Sequence, residues 1–134
     1  MTDTPRLRRQ GRPPNPGILH LGPGAFFRAF LAPWTDEAMR MAGGDWGIIA
    51  VSLQSPTARD QLIPQDCVYT ALERGPDGDI ARQVDAITNV MVAPEDPAAV
   101  IILGQERCHF HTTPNTTRVE HYLIALREYS RHHE

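Results

Sequence analysis

Residues 16–36, from Pro16 to Asp36, read PGILHLGPGAFFRAFLAPWTD. A short apolar run, Ile18-Leu19-His20-Leu21, enters the turn Gly22-Pro23-Gly24, and Ala25 to Met41 reads as a helix. Strand, glycine turn and helix in this order open a βαβ unit of the kind that holds a dinucleotide. Gly22 permits a tight turn, and Gly24 lets the backbone come close to a pyrophosphate. The free N–H groups at the helix start would then face the anion. The usual third glycine is absent, because Phe27 stands in its place. Glycine-rich turns also join strands to helices without binding anything, so the turn alone leaves both readings open.

Before the turn, residues 1–16 contain Pro5, Pro13, Pro14 and Pro16, which interrupt regular structure. The segment is expected to be a flexible arm. Its four arginines have no interleaved aromatics and are weak evidence for a nucleic-acid tail. Residues 17–21 make the first strand, apolar enough to be buried on both faces of a parallel sheet. His20 within it is expected to be packed and hydrogen-bonded rather than a ligand. In the helix, Phe26, Phe27, Phe30, Leu31 and Trp34 form a stripe expected to face the sheet. Pro33 should kink this helix, with Thr35-Asp36-Glu37 restarting it under a new cap.

After the turn Gly43-Gly44-Asp45, the run from Trp46 to Ser52 is a second apolar strand. The loop beyond it carries Gln54 and Ser55. An acid here would grip the ribose of NAD, and an arginine would favour the extra phosphate of NADP. Gln54 and Ser55 can hydrogen-bond a ribose without deciding between the two. Ser55-Pro56-Thr57 starts a short helix to about Leu62. Cys67 to Arg74 and Ile80 to Val92, joined by Gly75-Pro76-Asp77-Gly78-Asp79, read as two strands of an antiparallel hairpin. Acids in Ala93-Pro94-Glu95-Asp96-Pro97 open a helix that carries Ala98 to Leu103. The remainder holds five of the six histidines and an amphipathic stretch, Arg118 to Arg131. Cys108-His109-Phe110-His111 has no second ligand pair, so no metal site is expected.

Composition narrows the chemistry. The chain has 134 residues, enough for one domain with a real core, and a formal net charge of −3, which gives no general attraction to nucleic acid or membrane. All 13 basic residues are arginine, so a lysine base or Schiff base from this chain is excluded. Cys67 and Cys108 match no metal or redox spacing and read as reduced cytosolic thiols, which points to a cytoplasmic protein. No apolar run approaches a membrane span.

The motifs taken together resemble the N-terminal domain of the mannitol dehydrogenase family. They are the glycine turn with Phe26 and Arg28, then TDEA, DWGI, VSL, QD-x-x-YT, ERGPDG and VAPEDP. The resemblance covers roughly residues 17 to 100. It implies a Rossmann-like domain binding NAD(H), with NADP(H) not excluded. It also implies hydride transfer between a polyol and a ketose, or a hexonate and a keto-hexonate. Gly22, Pro23, Gly24, Ala25, Phe26, Arg28, Gln54 and Ser55 are the implied cofactor contacts. Arg28 would either add positive charge near the pyrophosphate or form a salt bridge, with the salt bridge favoured. Family enzymes keep histidine where Phe27 and Phe30 stand. Their catalytic lysine, asparagine and histidine lie in a helical C-terminal domain that has no counterpart here, so no catalytic residue is assigned.

The expected fold class is α/β: a partial Rossmann-like, mainly parallel sheet with flanking helices and an antiparallel hairpin excursion. Residues 1–16 form the arm, 17–103 the dinucleotide-binding domain, and 104–134 an atypical His-rich tail with a terminal helix. The tail fits an internal deletion or out-of-frame translation. The chain is expected to be the cofactor-binding fragment of an oxidoreductase, its partners a dinucleotide and a separately encoded catalytic domain. The alternatives are a non-enzymatic nucleotide-binding module and a degenerate gene product.

Overall fold

The computed structural model describes the backbone of residues 5–106 and 109–112, and side chains from residue 5 to residue 103. The terminal stretch Arg118 to Arg131 and the residue Cys108 lie outside the described residues.

A four-stranded sheet organises the molecule. Its strands are β1 (Pro16–Leu21), β2 (Gly47–Ser52), β5 (Ile87–Val92) and β6 (His109–Thr112), in the order β5-β2-β1-β6. Every pairing in it is parallel. The register sets Ile18 beside Ile48, Leu19 beside Ile49, His20 beside Ala50 and Leu21 beside Val51. Because side chains alternate across a strand, these pairs feed two cores. Ile48 and Ala50 join Phe27, Leu62, Cys67, Val84, Ile87 and Val90 on one face. Leu19, Leu21, Ile49 and Val51 join Ala93 and Val100 on the other. Both faces are covered, which is why β1 and β2 read as unbroken apolar runs.

Helix α1 (Ala32–Ala42) and the short α2 (Thr57–Leu62) accompany the first core, and α3 (Pro97–Glu106) contributes Val100 to the second. The antiparallel hairpin of β3 (Tyr69–Gly75) and β4 (Gly78–Val84) stands outside the parallel sheet. This is the expected α/β class with its hairpin excursion. The sheet also takes in β6, from the segment that the sequence reading placed outside the domain.

Two expectations are corrected. Ile80 to Val92 is not one strand: β4 ends at Val84 and β5 begins at Ile87. Between them the Ala86 carbonyl accepts from Ile48 N–H at 2.8 Å, which draws the chain into the parallel sheet. Nor does Pro33 force a restart at Thr35. A wide, π-type turn, Phe27–Leu31, runs straight into α1, and the Thr35 hydroxyl bonds back to the Leu31 carbonyl at 2.8 Å. Pro33 has no N–H, so an ordinary helical turn would leave a carbonyl without its donor. Shifting the register by one residue moves the missing donor from the Ala29 carbonyl to that of Arg28, while the helix runs on into α1.

The N-terminal segment is tied to this body at Arg9. Its guanidinium donates to the carbonyls of Asp85 at 2.8 Å and Ile87 at 2.7 Å. Nearby, the buried Asp36 carboxylate lies 2.9 Å from Arg40 Nη2, while Glu37 pairs with Arg82 of β4. Burial raises the Asp36 pKa even against the opposing pull of Arg40. No described helix is long and apolar enough to cross a membrane.

Candidate functional site

The glycine turn leaves the C-terminal end of β1. On one side β1 neighbours β2, reached through α1. On the other it neighbours β6, reached from β5 through α3. The chain thus reverses its direction of winding beside β1, and the crevice at such a switch point is where open α/β sheets take their ligands. Gly22 has φ +97° and donates its N–H to the Val51 carbonyl at 2.8 Å, fastening the turn to β2. Pro23 is buried, whereas Gly24, Ala25 and Phe26 are exposed. A Cβ built on Gly24 meets nothing within 4 Å, and its φ is not in the left-handed region. The protein's own packing therefore does not require glycine there, and the open space lies over the backbone at the turn.

The first helical bond runs from Arg28 N–H to the Gly24 carbonyl at 3.0 Å. The amides of Ala25, Phe26 and Phe27 precede it and have no helical carbonyl to meet. Arg28 forms no ion pair among the described residues; its Nε lies 3.5 Å from the Gly24 carbonyl. Among the described residues the favoured salt-bridge role therefore finds no partner. The cation stays beside the turn.

Phe27 explains the missing third glycine. Its ring is fully buried and stacks on His20 of β1, with ring centroids 4.0 Å apart and planes 10° from parallel. A phenyl ring fills the gap that the third glycine would close by bringing helix and strand together. His20 is correspondingly buried within the fold, as expected of a packed histidine.

The aromatic stripe is placed differently from the expectation. Phe27 faces the core, with Leu31 packed beside it, but Phe26, Phe30 and Trp34 are 57%, 43% and 60% exposed. They form an outward ladder, with centroids 4.9 Å apart for Phe26–Phe30 and 5.7 Å for Phe30–Trp34. Five apolar residues on one helix are more than one sheet face can cover, and the inward line starts at Phe27 rather than Phe26. Phe30 and Trp34, with Tyr69 and Ile80, line a groove of about 650 Å³.

Beyond β2, the Ser52 hydroxyl donates to the Ser55 carbonyl, and the Ser55 hydroxyl accepts from Thr57 N–H at 3.2 Å. Ser55 thus shapes the loop and starts α2, and Gln54 stands exposed next to it. Arg59 of α2 is held by Glu95 and Asp60, which raise its pKa. Sequence reasoning missed Tyr69, whose hydroxyl donates to the Arg28 carbonyl at 2.5 Å. Its only signal was a place in the QD-x-x-YT motif. Among the described residues no group of three or more His, Cys, Asp or Glu could hold a metal ion.

Known proteins share this arrangement. The chain is 44% identical over 88 residues to a mannitol 2-dehydrogenase of Pyrenophora tritici-repentis, a match covering 63% of this chain and 16% of the relative. It is 46% identical over 88 residues to mannitol dehydrogenase 2 of Saccharomyces cerevisiae, covering 63% of this chain and 18% of that one. Pseudomonas fluorescens mannitol 2-dehydrogenase, solved as a ternary complex with NAD and D-mannitol, aligns with a TM-score of 0.66 at 34% identity. That alignment takes in 72% of this chain and 21% of the solved one. A substrate-free D-sorbitol dehydrogenase aligns with a TM-score of 0.58 at 36% identity, over 65% of this chain and 19% of the other. The chain therefore spans about a fifth or less of the length of these relatives. The family model of the mannitol dehydrogenase Rossmann domain matches residues 16–121, well past the end of α3, and the chain belongs to the mannitol dehydrogenase family.

Proposed function

We propose that this chain is the dinucleotide-binding part of an NAD-dependent oxidoreductase acting on the CH–OH group of a polyol or hexonate, and that it resides in the cytoplasm. The observation that carries the reading is the turn at the switch point. Gly24 is open to an incoming group, three helix-start amides are unspent, and Arg28 has no acidic partner among the described residues. These features suit a pyrophosphate. In this reading Gly22, Pro23, Gly24, Ala25, Phe26 and Arg28 hold the pyrophosphate end, and Gln54 and Ser55 meet the adenosine ribose. NAD is favoured over NADP because Arg59, the cation that follows β2, is already engaged by Glu95 and Asp60.

The bound nicotinamide would accept hydride from a carbinol carbon as a base takes the hydroxyl proton. This chain's own residues bind and orient the dinucleotide. A lysine base would have to lie outside these residues, since they contain no lysine, and the described His20 is buried against Phe27. The exposed ladder Phe26-Phe30-Trp34 starts at the glycine turn, so a catalytic domain seated on it would stand next to the cofactor. The relatives' much greater length leaves room for such a domain in a single chain. Residues 17–103 are the binding domain in this reading, extended by β6.

The test is a titration of the purified 134-residue chain with NADH and NADPH, followed by tryptophan fluorescence. Saturable binding, tighter for NADH, is expected; no saturable binding of either overturns the reading. The second reading, a nucleotide-binding module without hydride transfer, draws on the same missing base. Mannitol oxidation by these 134 residues alone would contradict both the placing of the base outside them and this second reading.

A further inference from the structure

The wide turn after Gly24 creates a backbone problem at Arg28. In an ordinary helix its carbonyl would accept from Ala32 N–H, four residues on. That N–H instead goes to the Phe27 carbonyl, five residues back. The next position that could serve Arg28 is Pro33, which has no N–H. The Arg28 carbonyl therefore has neither its i+4 nor its i+5 donor, at the helix start that carries the proposed pyrophosphate amides.

Tyr69 supplies the donor from 41 residues away, at 2.5 Å. Its placement is elaborate. The chain ahead of it reverses through Asp66 and Cys67, both in the left-handed region at φ 56° and 62°. Two consecutive non-glycine residues there are a strained arrangement that the surrounding contacts must hold. Three bonds hold the reversal: Cys67 N–H to the Leu62 carbonyl at 2.9 Å, Val68 N–H to the Gln65 carbonyl at 3.0 Å, and Gln65 Nε2 to the Val68 carbonyl at 2.7 Å. Tyr69 follows at once as the first residue of β3, paired with Val84 and packed against the core. Burial pushes the phenol pKa up, outweighing the pull of nearby Arg28, so the O–H remains a donor.

We propose that Tyr69 is a positioning residue for the dinucleotide site: by holding the Arg28 carbonyl it fixes the wide turn, and with it the direction in which Arg28 and the preceding amides face the pyrophosphate. This gives the hairpin a task that its exposed outer half does not explain. The proposal rests on the cofactor reading above.

The experiment compares the full chain with Tyr69→Phe, Pro33→Ala and the double variant, titrating each with NADH and with adenosine, which lacks the pyrophosphate. Tyr69→Phe is expected to weaken NADH about five- to tenfold, the scale of one hydrogen bond, and to leave adenosine unchanged. Adding Pro33→Ala restores an N–H within reach of the Arg28 carbonyl and should recover most of the loss. A merely structural tyrosine would lower the melting temperature and leave the NADH-to-adenosine ratio where it was. The proposal is overturned if Tyr69→Phe binds NADH within twofold of the unaltered chain. It is also overturned if adenosine weakens equally, if Pro33→Ala recovers nothing, or if Tyr69→Phe unfolds the chain at 25 °C by circular dichroism. An unaltered chain that fails to bind NADH overturns the cofactor reading and this proposal with it. That result is distinct from a Tyr69→Phe chain that binds as well as the unaltered one.

Discussion

Gly24→Ala separates a glycine kept for the fold from one kept for a ligand. In the free protein the added methyl meets no atom within 4 Å, and the backbone there is not left-handed. Removing glycine's freedom from the unfolded chain stabilises by about 0.4–1 kcal/mol at a compatible site. Gly24 also stands at the helix cap, where alanine is worse than glycine by roughly the same amount. The two effects nearly cancel, so the thermal midpoint should stay within about 5 °C of the unaltered chain. Binding should respond quite differently. A backbone N–H reaches a phosphate oxygen at about 2.9 Å, closer than a methyl group allows. A displacement of even 1 Å weakens charge-assisted bonds worth about 1.5–3 kcal/mol each. NADH affinity should therefore fall about ten- to hundredfold. Gly22→Ala provides the opposite pattern. Its φ of +97° puts strain of about 1–3 kcal/mol on any other residue, so the loss appears first in the melt. A thermal melt and an NADH titration on both variants decide the matter. If Gly24→Ala binds NADH like the unaltered chain, or if it unfolds, the open space over Gly24 is not a pyrophosphate seat.

Three further substitutions test the packing. Phe27→Ala removes a fully buried ring stacked on His20 and should cost about 3–5 kcal/mol in urea unfolding, whereas Trp34→Ser, on the exposed ladder, should stay within about 0.5 kcal/mol. Equal costs would return Trp34 to the core side of the helix. Burial pushes the Cys67 thiol up to about 11 from 9.0, so the folded state disfavours the thiolate. That contribution is fully present below pH 9.0, and about 2–3 kcal/mol of it is lost as pH rises from there to about 11. Cys67→Ala should flatten this alkaline limb in unfolding curves taken across the same window, and an unchanged limb would place its origin in another group.

Most of the sheet was legible because its signals are local. β1 and β2 are apolar runs bounded by turn residues, and burial on both faces leaves no alternation to misread. The hairpin turn at Gly75 to Asp79 was legible for the same reason. The break after Val84 was not, because alternation from Ile80 to Thr88 carries smoothly across it. The trace it left is that Ala86 and Ile87, adjacent in sequence, are both buried, which one half-exposed strand cannot do. The helix stripe failed for a different reason. Periodicity locates an apolar face but cannot say how much of it the sheet covers, nor that Pro33 shifts the register before it.

The site shows the limit of local reading more sharply. The glycines were visible as a motif, but the turn they make is assembled from three distant stretches. Val51 receives the Gly22 N–H, His20 and Phe27 fill the gap left by a missing glycine, and Tyr69 restores the donor that Pro33 withholds. Each compensation makes sense only beside the defect it corrects. The substitution of phenylalanine for the third glycine and the presence of Pro33 in the next turns therefore do not weaken the case for a dinucleotide turn. They explain why this one needs a wide helical turn and a tyrosine from outside its own βαβ unit.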